Sequence, residues 1–238
     1  MYLLFDSYGT LVEMDDFYGR LQRNFAKFGA ELPFDAVKKA AHAEIRHDMK
    51  GAPLAVCLES WEKLRDDCAQ TLADALEKQG HKLELSREAV KNVLTESVVY
   101  LPHEGVRETL QALKAKGLRL GVVSNWDFRL QNALEDAGLA QFFDFILPSA
   151  KAGAEKPAPQ IFQKGFELAR NFVQNLAPSD CFYIGDHYEK DVLGARRAGL
   201  SPLWLVRSER DLASGDVHEV ENDDVPRLKN LRDLLQMF

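Results

Sequence analysis

Two hydrophobic rhythms divide the chain. Residues 2–5 form an unbroken apolar run that ends in Asp6, and similar runs recur at 118–123, 143–147, 181–184 and 203–206. Short apolar runs of this kind mark strands covered on both faces. Between them, residues 106–116, 128–137, 159–172 and 190–198 carry the spacing of helices. Gly117, Gly138 and Gly199 stand where helix C-caps are expected. Strand and helix in alternation predict an α/β fold, a doubly wound parallel sheet. From about residue 15 to 100 the rhythm changes. Phe17, Leu21, Phe25 and Phe28 recur at helical spacing, as do Val37, Ala41 and Ile45, and then Leu58, Trp61, Leu64 and Cys68. The pattern predicts amphipathic helices whose apolar stripes pack inward. We therefore expect an α/β core from residues 1–14 and 101–238 and a small helical domain from 15–100. Residues 13–16 and 100–104 would be the joints. The polar stretch 208–226 reads as a loop, and 228–237 as a last short helix.

Composition narrows the function. At 238 residues the chain can bury a substantial apolar core. Its 46% hydrophobic and 28% charged content is ordinary for a globular protein. A net charge of −7 argues against a nucleic-acid or anionic-membrane surface. Cys57, Cys68 and Cys181 are odd in number and lack metal-ligand spacing, which predicts a reducing compartment and inert thiols. Met1 leads straight into a strand-like run, with no basic leader or long apolar stretch, so the expected location is cytoplasmic.

Candidate chemistry lies at the strand ends. In open parallel sheets, ligands bind outside the carboxyl ends of the strands. Asp6, Ser124 with Asn125, and Asp186 all fall there, with Lys156 in the loop after the 143–147 run and Asp191 five residues past Asp186. Each alone has an ordinary use as a turn former, a helix cap or a solvated charge. Their shared position and order are what point to one site.

Four stretches then resemble, in order, the motifs of the haloacid dehalogenase-like hydrolase superfamily: FDSYGTLV, VVSNWD, Lys156 within AEKPAPQIF, and YIGDHYEKDVLGARRAG. The insert after the first motif resembles that family's cap domain. The resemblance implies a Rossmann-like core and a hydrolase acting on a small-molecule substrate. Asp6 would be the nucleophile, forming an aspartyl ester or aspartyl phosphate that water cleaves. Thr10 would bond within the first loop. Ser124, Asn125 and Lys156 would bind substrate, and Lys156 would also keep Asp6 ionised. Asp6, the backbone carbonyl of Tyr8, Asp186 and Asp191 would hold Mg²⁺.

One position divides the readings. Family phosphatases carry a second acid two residues after the nucleophile, where this chain has Tyr8. General acid catalysis is worth about 10²–10⁴-fold, so Tyr8 points toward leaving groups that need no proton, as in a 2-haloacid dehalogenase. Asp186 points the other way, because a carboxylate beside Asp6 is repelled unless a cation joins them. The expectation is a Mg²⁺-dependent phosphatase. The alternatives are a dehalogenase and a weakly catalytic phospholigand-binding protein. A dehalogenase's early cap arginine has candidates in Arg20, Arg23 and Arg46. Substrate choice would belong to the cap, where Asp15, Asp16, Arg20, Arg46 and His47 are the polar candidates. Nothing in the pattern reports oligomeric state.

Overall fold

A computed structural model describes residues 1–206 and 224–238. Its strands are β1 (Tyr2–Phe5), β2 (Val12–Met14), β3 (Tyr100–Pro102), β4 (Arg119–Ser124), β5 (Phe145–Pro148), β6 (Cys181–Gly185), β7 (Ser201–Leu205) and β8 (Arg227–Leu228). Six of them form one sheet in the order β5-β4-β1-β6-β7-β8, with every pair parallel. The first strand is therefore central: Tyr2 pairs with Arg119 on one side and Cys181 on the other. All four residues of β1 are buried, as an unbroken apolar run requires. Tyr2 and Leu4 join Cys181 and Tyr183 against Ile161, Phe162 and Ala169 of α7 (Pro159–Arg170). Leu3 and Phe5 point to the opposite face, by strand alternation, and are equally buried. Each such side chain contributes about 1.5–3 kcal/mol.

Helices α5 (Val106–Ala115) and α6 (Leu130–Asp136) fill the predicted gaps. Gly117, Gly138 and Gly199 all take positive φ, as the cap pattern predicts. Two details depart from the sequence expectation. The stretch expected as a helix over 190–198 opens as a π-helical turn, Tyr188–Leu193, and only then becomes a short α-helix, Gly194–Arg197. The expected last helix begins instead with β8, because Leu228 pairs with Leu205 at the sheet edge. Helical structure follows at Leu231–Asp233 and Leu234–Met237. Most of the expected loop at 208–226 falls within residues 207–223, outside the described residues.

The chain divides into two units. One comprises residues 1–13, 102–125 and 129–238, and the other residues 14–101 and 126–128. The second contains α1 (Phe17–Lys27), α2 (Phe34–Gly51), α3 (Leu58–Glu77) and α4 (Arg87–Ser97). Ser86 starts α4 by accepting the Ala89 amide at 3.1 Å. Phe17, Leu21, Phe25, Val37, Ala41, Leu64 and Cys68 are buried together, as their spacing predicts. Phe28 and Leu58 are exposed instead, because Phe28 lies just past the end of α1 and Leu58 is the first residue of α3. A two-stranded sheet, β2 with β3, was not expected. Cys68 and Cys181 are buried, and burial pushes both thiols up. Cys57 departs from the inert reading: it is exposed at the start of α3, and hydrogen bonding with Ser60 lowers its pKa. Among the described residues, no helix is long and apolar enough to cross a membrane.

Candidate active site

The site grows from the carboxyl ends of β1, β4 and β6. Asp6 follows β1, and its amide donates to the Ile184 carbonyl of β6 at 2.8 Å, which extends the sheet register to the acid. The chain then turns tightly. The Ser7 carbonyl accepts the amides of Thr10, Leu11 and Val12 at 3.3, 2.7 and 3.0 Å, and Gly9 N–H donates to the Val12 carbonyl at 2.8 Å. Tyr8 lies in this turn with its side chain partly exposed. Thr10 is fully buried, and its hydroxyl reaches across to Asp186 Oδ1 at 3.2 Å.

Ser124, the last residue of β4, donates to Asp6 Oδ1 at 2.8 Å. Lys156 Nζ is 2.5 Å from the same oxygen and 2.6 Å from Asp191 Oδ1. Asp191 reaches this lysine from the π-helical turn, and its other oxygen takes the His187 amide at 2.9 Å. A π turn often marks a functional position, because its extra residue re-aims a side chain. Of the six residues singled out in the sequence, Asp6, Ser124, Lys156, Asp186 and Asp191 thus come together with Thr10. Asn125 is placed differently from a free substrate contact. Its side-chain amide donates to the Lys156 carbonyl at 3.0 Å, and its Oδ1 accepts the Lys156 amide at 2.7 Å.

Sequence reasoning passed over two residues here. Tyr183, inside β6, donates to the Val123 carbonyl at 2.7 Å, and its ring lies 5.6 Å from Lys156 Nζ. A tyrosine within a strand carries no distinguishing signal, since aromatics are common there. Gly185, at the end of β6, was read only as a neighbour of Asp186. A Cβ at that position would collide with Asp191.

The electrostatics are unbalanced. Asp6, Asp186 and Asp191 each bring a carboxylate oxygen within 4.8 Å of the others, and Lys156 is the ammonium among them. Burial alone would pull Lys156 down, but Asp191 and Asp6 outweigh it and hold the ammonium well above its ordinary range. Burial, then the charges of Asp6 and Asp191, push the Asp186 carboxyl up to about 7. Asp191 is also raised by burial, against the pull of Lys156. Three carboxylates against one ammonium leave negative charge that a divalent cation would neutralise. A second group in the helical unit, Glu44, Asp48 and Cys68, has similar spacing. There the guanidinium of Arg65 already stands where a cation would, bonded to both acids.

Comparison with known proteins follows the same lines. A family model described as haloacid dehalogenase-like hydrolase matches residues 1–199. The chain is 43% identical over 106 residues to haloacid dehalogenase-like hydrolase domain-containing protein 3 of Bos taurus, covering 44% of this chain and 40% of that protein. It is 32% identical over 156 residues to phosphoserine phosphatase of Thermus thermophilus, covering 62% and 61%. The chain spans about half the length of the curated relatives it matches. The solved L-2-haloacid dehalogenase of Xanthobacter autotrophicus superposes with a TM-score of 0.66 at 19% identity, over 100% of this chain and 98% of that one, a likeness of fold alone.

Proposed function

The chain belongs to the haloacid dehalogenase-like hydrolases, and from that premise we propose that it is a Mg²⁺-dependent phosphatase of a small phosphorylated metabolite. The observation that carries the reading is the crowding of Asp6, Asp186 and Asp191 around one lysine, with Asp186 pushed up to about 7. Asp6, Asp186, Asp191 and the Tyr8 carbonyl would hold the ion. The three facing side-chain ligands are all carboxylate oxygens, a hard set that suits Mg²⁺ better than Zn²⁺. Bound there, the ion supplies neutralisation of the charge that builds on the transferred phosphoryl group.

The chain's own residues would do the rest. Asp6 would attack phosphorus as the P–O bond to the leaving group breaks, giving an aspartyl phosphate and an alkoxide or phenolate that takes its proton from water. A second water would then cleave the acyl phosphate to release phosphate and restore the Asp6 carboxylate. Lys156 keeps Asp6 ionised and stabilises the equatorial oxygens, with Ser124 as a second donor beside it. Thr10 ties the first loop to Asp186. Asn125 places the Lys156 backbone rather than gripping substrate. The helical unit, in the role of a cap, would choose the substrate.

One observation favours a second reading. Tyr8 offers no carboxyl two residues after Asp6, which suits a 2-haloacid dehalogenase with halide as the leaving group. The charge argument weighs against it, because Asp186 gains a reason to exist only with a cation. Hydrolysis of p-nitrophenyl phosphate is the direct test, since nitrophenolate leaves without protonation. Turnover is expected with Mg²⁺, lost in EDTA and regained on adding the ion. Chloride release from 2-chloropropionate in EDTA would move the protein to the dehalogenases. No turnover of either, with no Mg²⁺ binding by calorimetry, would leave a phospholigand-binding protein.

A further inference from the structure

Trp204 reaches the acids from the neighbouring strand of the same unit. β6 ends at Gly185, which pairs with Trp204 of β7, and Asp186 is the first residue past that end. The Trp204 main chain turns to the sheet edge, its amide donating to the Pro226 carbonyl at 2.9 Å. Its side chain goes back to β6: the indole N–H donates to the Asp186 carbonyl at 3.0 Å. The ring is buried, 4% exposed, and clusters with Val192 and Val225. The Tyr188 ring lies against it, with centroids 5.2 Å apart and planes at 58°, and the Arg227 guanidinium stands 5.4 Å from its centroid. One indole thus meets residues 186, 188 and 192, along the turn that carries both Asp186 and Asp191. The N–H of the same Asp186–His187 peptide donates to Asp191 Oδ2 at 2.9 Å. That peptide group is therefore held at its oxygen by Trp204 and at its nitrogen by Asp191.

We propose that Trp204 is a positioning residue that clamps the Asp186–His187 peptide and so sets the Asp186 and Asp191 carboxylates for a divalent cation. A peptide group is planar, so its C=O and N–H turn together. Rotating this one breaks the indole bond and the Asp191 bond at once. With the indole bond in place, the Asp186 main chain is fixed while the Thr10 hydroxyl meets its carboxylate at 3.2 Å, and the residue is held at both ends. Without it the carbonyl loses its indole donor just past the end of β6, and the peptide keeps only the Asp191 bond to resist turning. Hydrogen bonds behind the ligands of a metal fix their orientation, and losing one typically costs about 10–100-fold in affinity. The metal part of this inference rests on the Mg²⁺ reading of the site, whereas the clamp itself is a property of the metal-free chain.

The test compares two variants of the full chain. Trp204→Phe keeps an aromatic ring against Tyr188 and removes the donor, while Val225→Ala loosens the same cluster and leaves the donor in place. By calorimetry, Trp204→Phe is expected to bind Mg²⁺ about 10-fold more weakly, and Val225→Ala within about twofold of the wild type. With p-nitrophenyl phosphate, the Mg²⁺ concentration giving half-maximal activity should rise by the same factor in Trp204→Phe, with kcat at saturating Mg²⁺ little changed. In the metal-free protein, amide hydrogen exchange at residues 186–191 should quicken in Trp204→Phe and not in Val225→Ala. If Trp204→Phe does not fold, the wild type carries the test: its Trp204 indole N–H resonance should exchange slowly and should shift when Mg²⁺ is added. Unchanged Mg²⁺ affinity in Trp204→Phe, an equal loss in Val225→Ala, or a fast-exchanging indole N–H that Mg²⁺ does not move would overturn the proposal. If the wild type binds no Mg²⁺, the metal reading of the site fails by itself. The exchange comparison then decides the clamp, and equal exchange in the two variants would refute it.

Discussion

At the scale of single residues, Gly9 and Asp6 show how tightly the site is drawn. Gly9 has φ +87, a region that strains any residue with a Cβ, and a Cβ there would collide with the Asp186 carboxylate. Gly9→Ala should therefore push Asp186 out of line while the sheet stays intact. Calorimetry is expected to show Mg²⁺ affinity reduced by about 10–100-fold, with an unchanged circular dichroism spectrum. An unaltered affinity would mean that Asp186 is not a ligand. Asp6→Asn removes the nucleophile with almost no change in shape. Turnover should drop by about 10⁴-fold or more, and the metal-free variant should melt no lower than the wild type, because one of three crowded charges is gone. Wild-type activity in the Asn variant would refute the covalent mechanism. Asp6, Ser124 and Asp186 were legible in the sequence because strand ends announce themselves: an apolar run stops at a polar side chain. Lys156 and Asp191 were picked out only by their order after those ends. Tyr183 was not, since its hydroxyl acts from inside a strand where an aromatic side chain is ordinary. The anchoring of Asn125 to Lys156 was not legible either, because it joins residues 31 apart through main-chain atoms.

At the scale of elements, the runs at 2–5, 118–123 and 181–184 were read correctly because burial on both faces leaves them almost wholly apolar, Arg119 at the start of β4 being the exception. Strands β2, β3 and β8 have two or three residues each, too few to display a period. Leu228, Leu231 and Leu234 recur every three residues, which reads as helix, but Leu228 pairs with Leu205 instead. The pairing of α2 with α3 holds a charged cluster that no periodicity reveals. Glu44, 3% exposed, sits 3.5 Å from Arg65, while Asp48 takes the same guanidinium at 2.8 Å. Arg65 Nε has no partner among the described residues. Burial pushes the Glu44 carboxyl up to about 7 against the pull of Arg65. The folded protein thus holds this proton more tightly than the unfolded chain does. The resulting stability is fully present below the ordinary glutamate range and is lost as pH rises through about 7. Denaturant midpoints of the wild type should fall across this window by the equivalent of ~3 kcal/mol relative to Glu44→Gln. Identical pH profiles for the two proteins would show that Glu44 ionises freely.

At the scale of the whole molecule, the cation and the fold are linked. An ion that binds only the folded state adds about 2.7 kcal/mol when present at 100 times its dissociation constant. Mg²⁺ should accordingly raise the melting temperature of the wild type, and EDTA should reverse the gain. Asp186→Ala should abolish the shift, with Asp191→Ala reducing it less, because Asp191 is already engaged by Lys156 and the His187 amide. A shift that survives Asp186→Ala would place the ion elsewhere. The central position of β1 has a further consequence, for the order of events during synthesis. Tyr2 pairs with both Arg119 and Cys181, so the strand that delivers Asp6 is translated long before either neighbour exists. At roughly 5–20 residues per second, the ribosome needs about 10–40 s to travel from Tyr2 to Cys181. For about the first two thirds of that interval, until β4 has been made, the wholly apolar β1 has no strand to pair with, and the nascent chain depends on chaperones or on transient burial to keep it from aggregating.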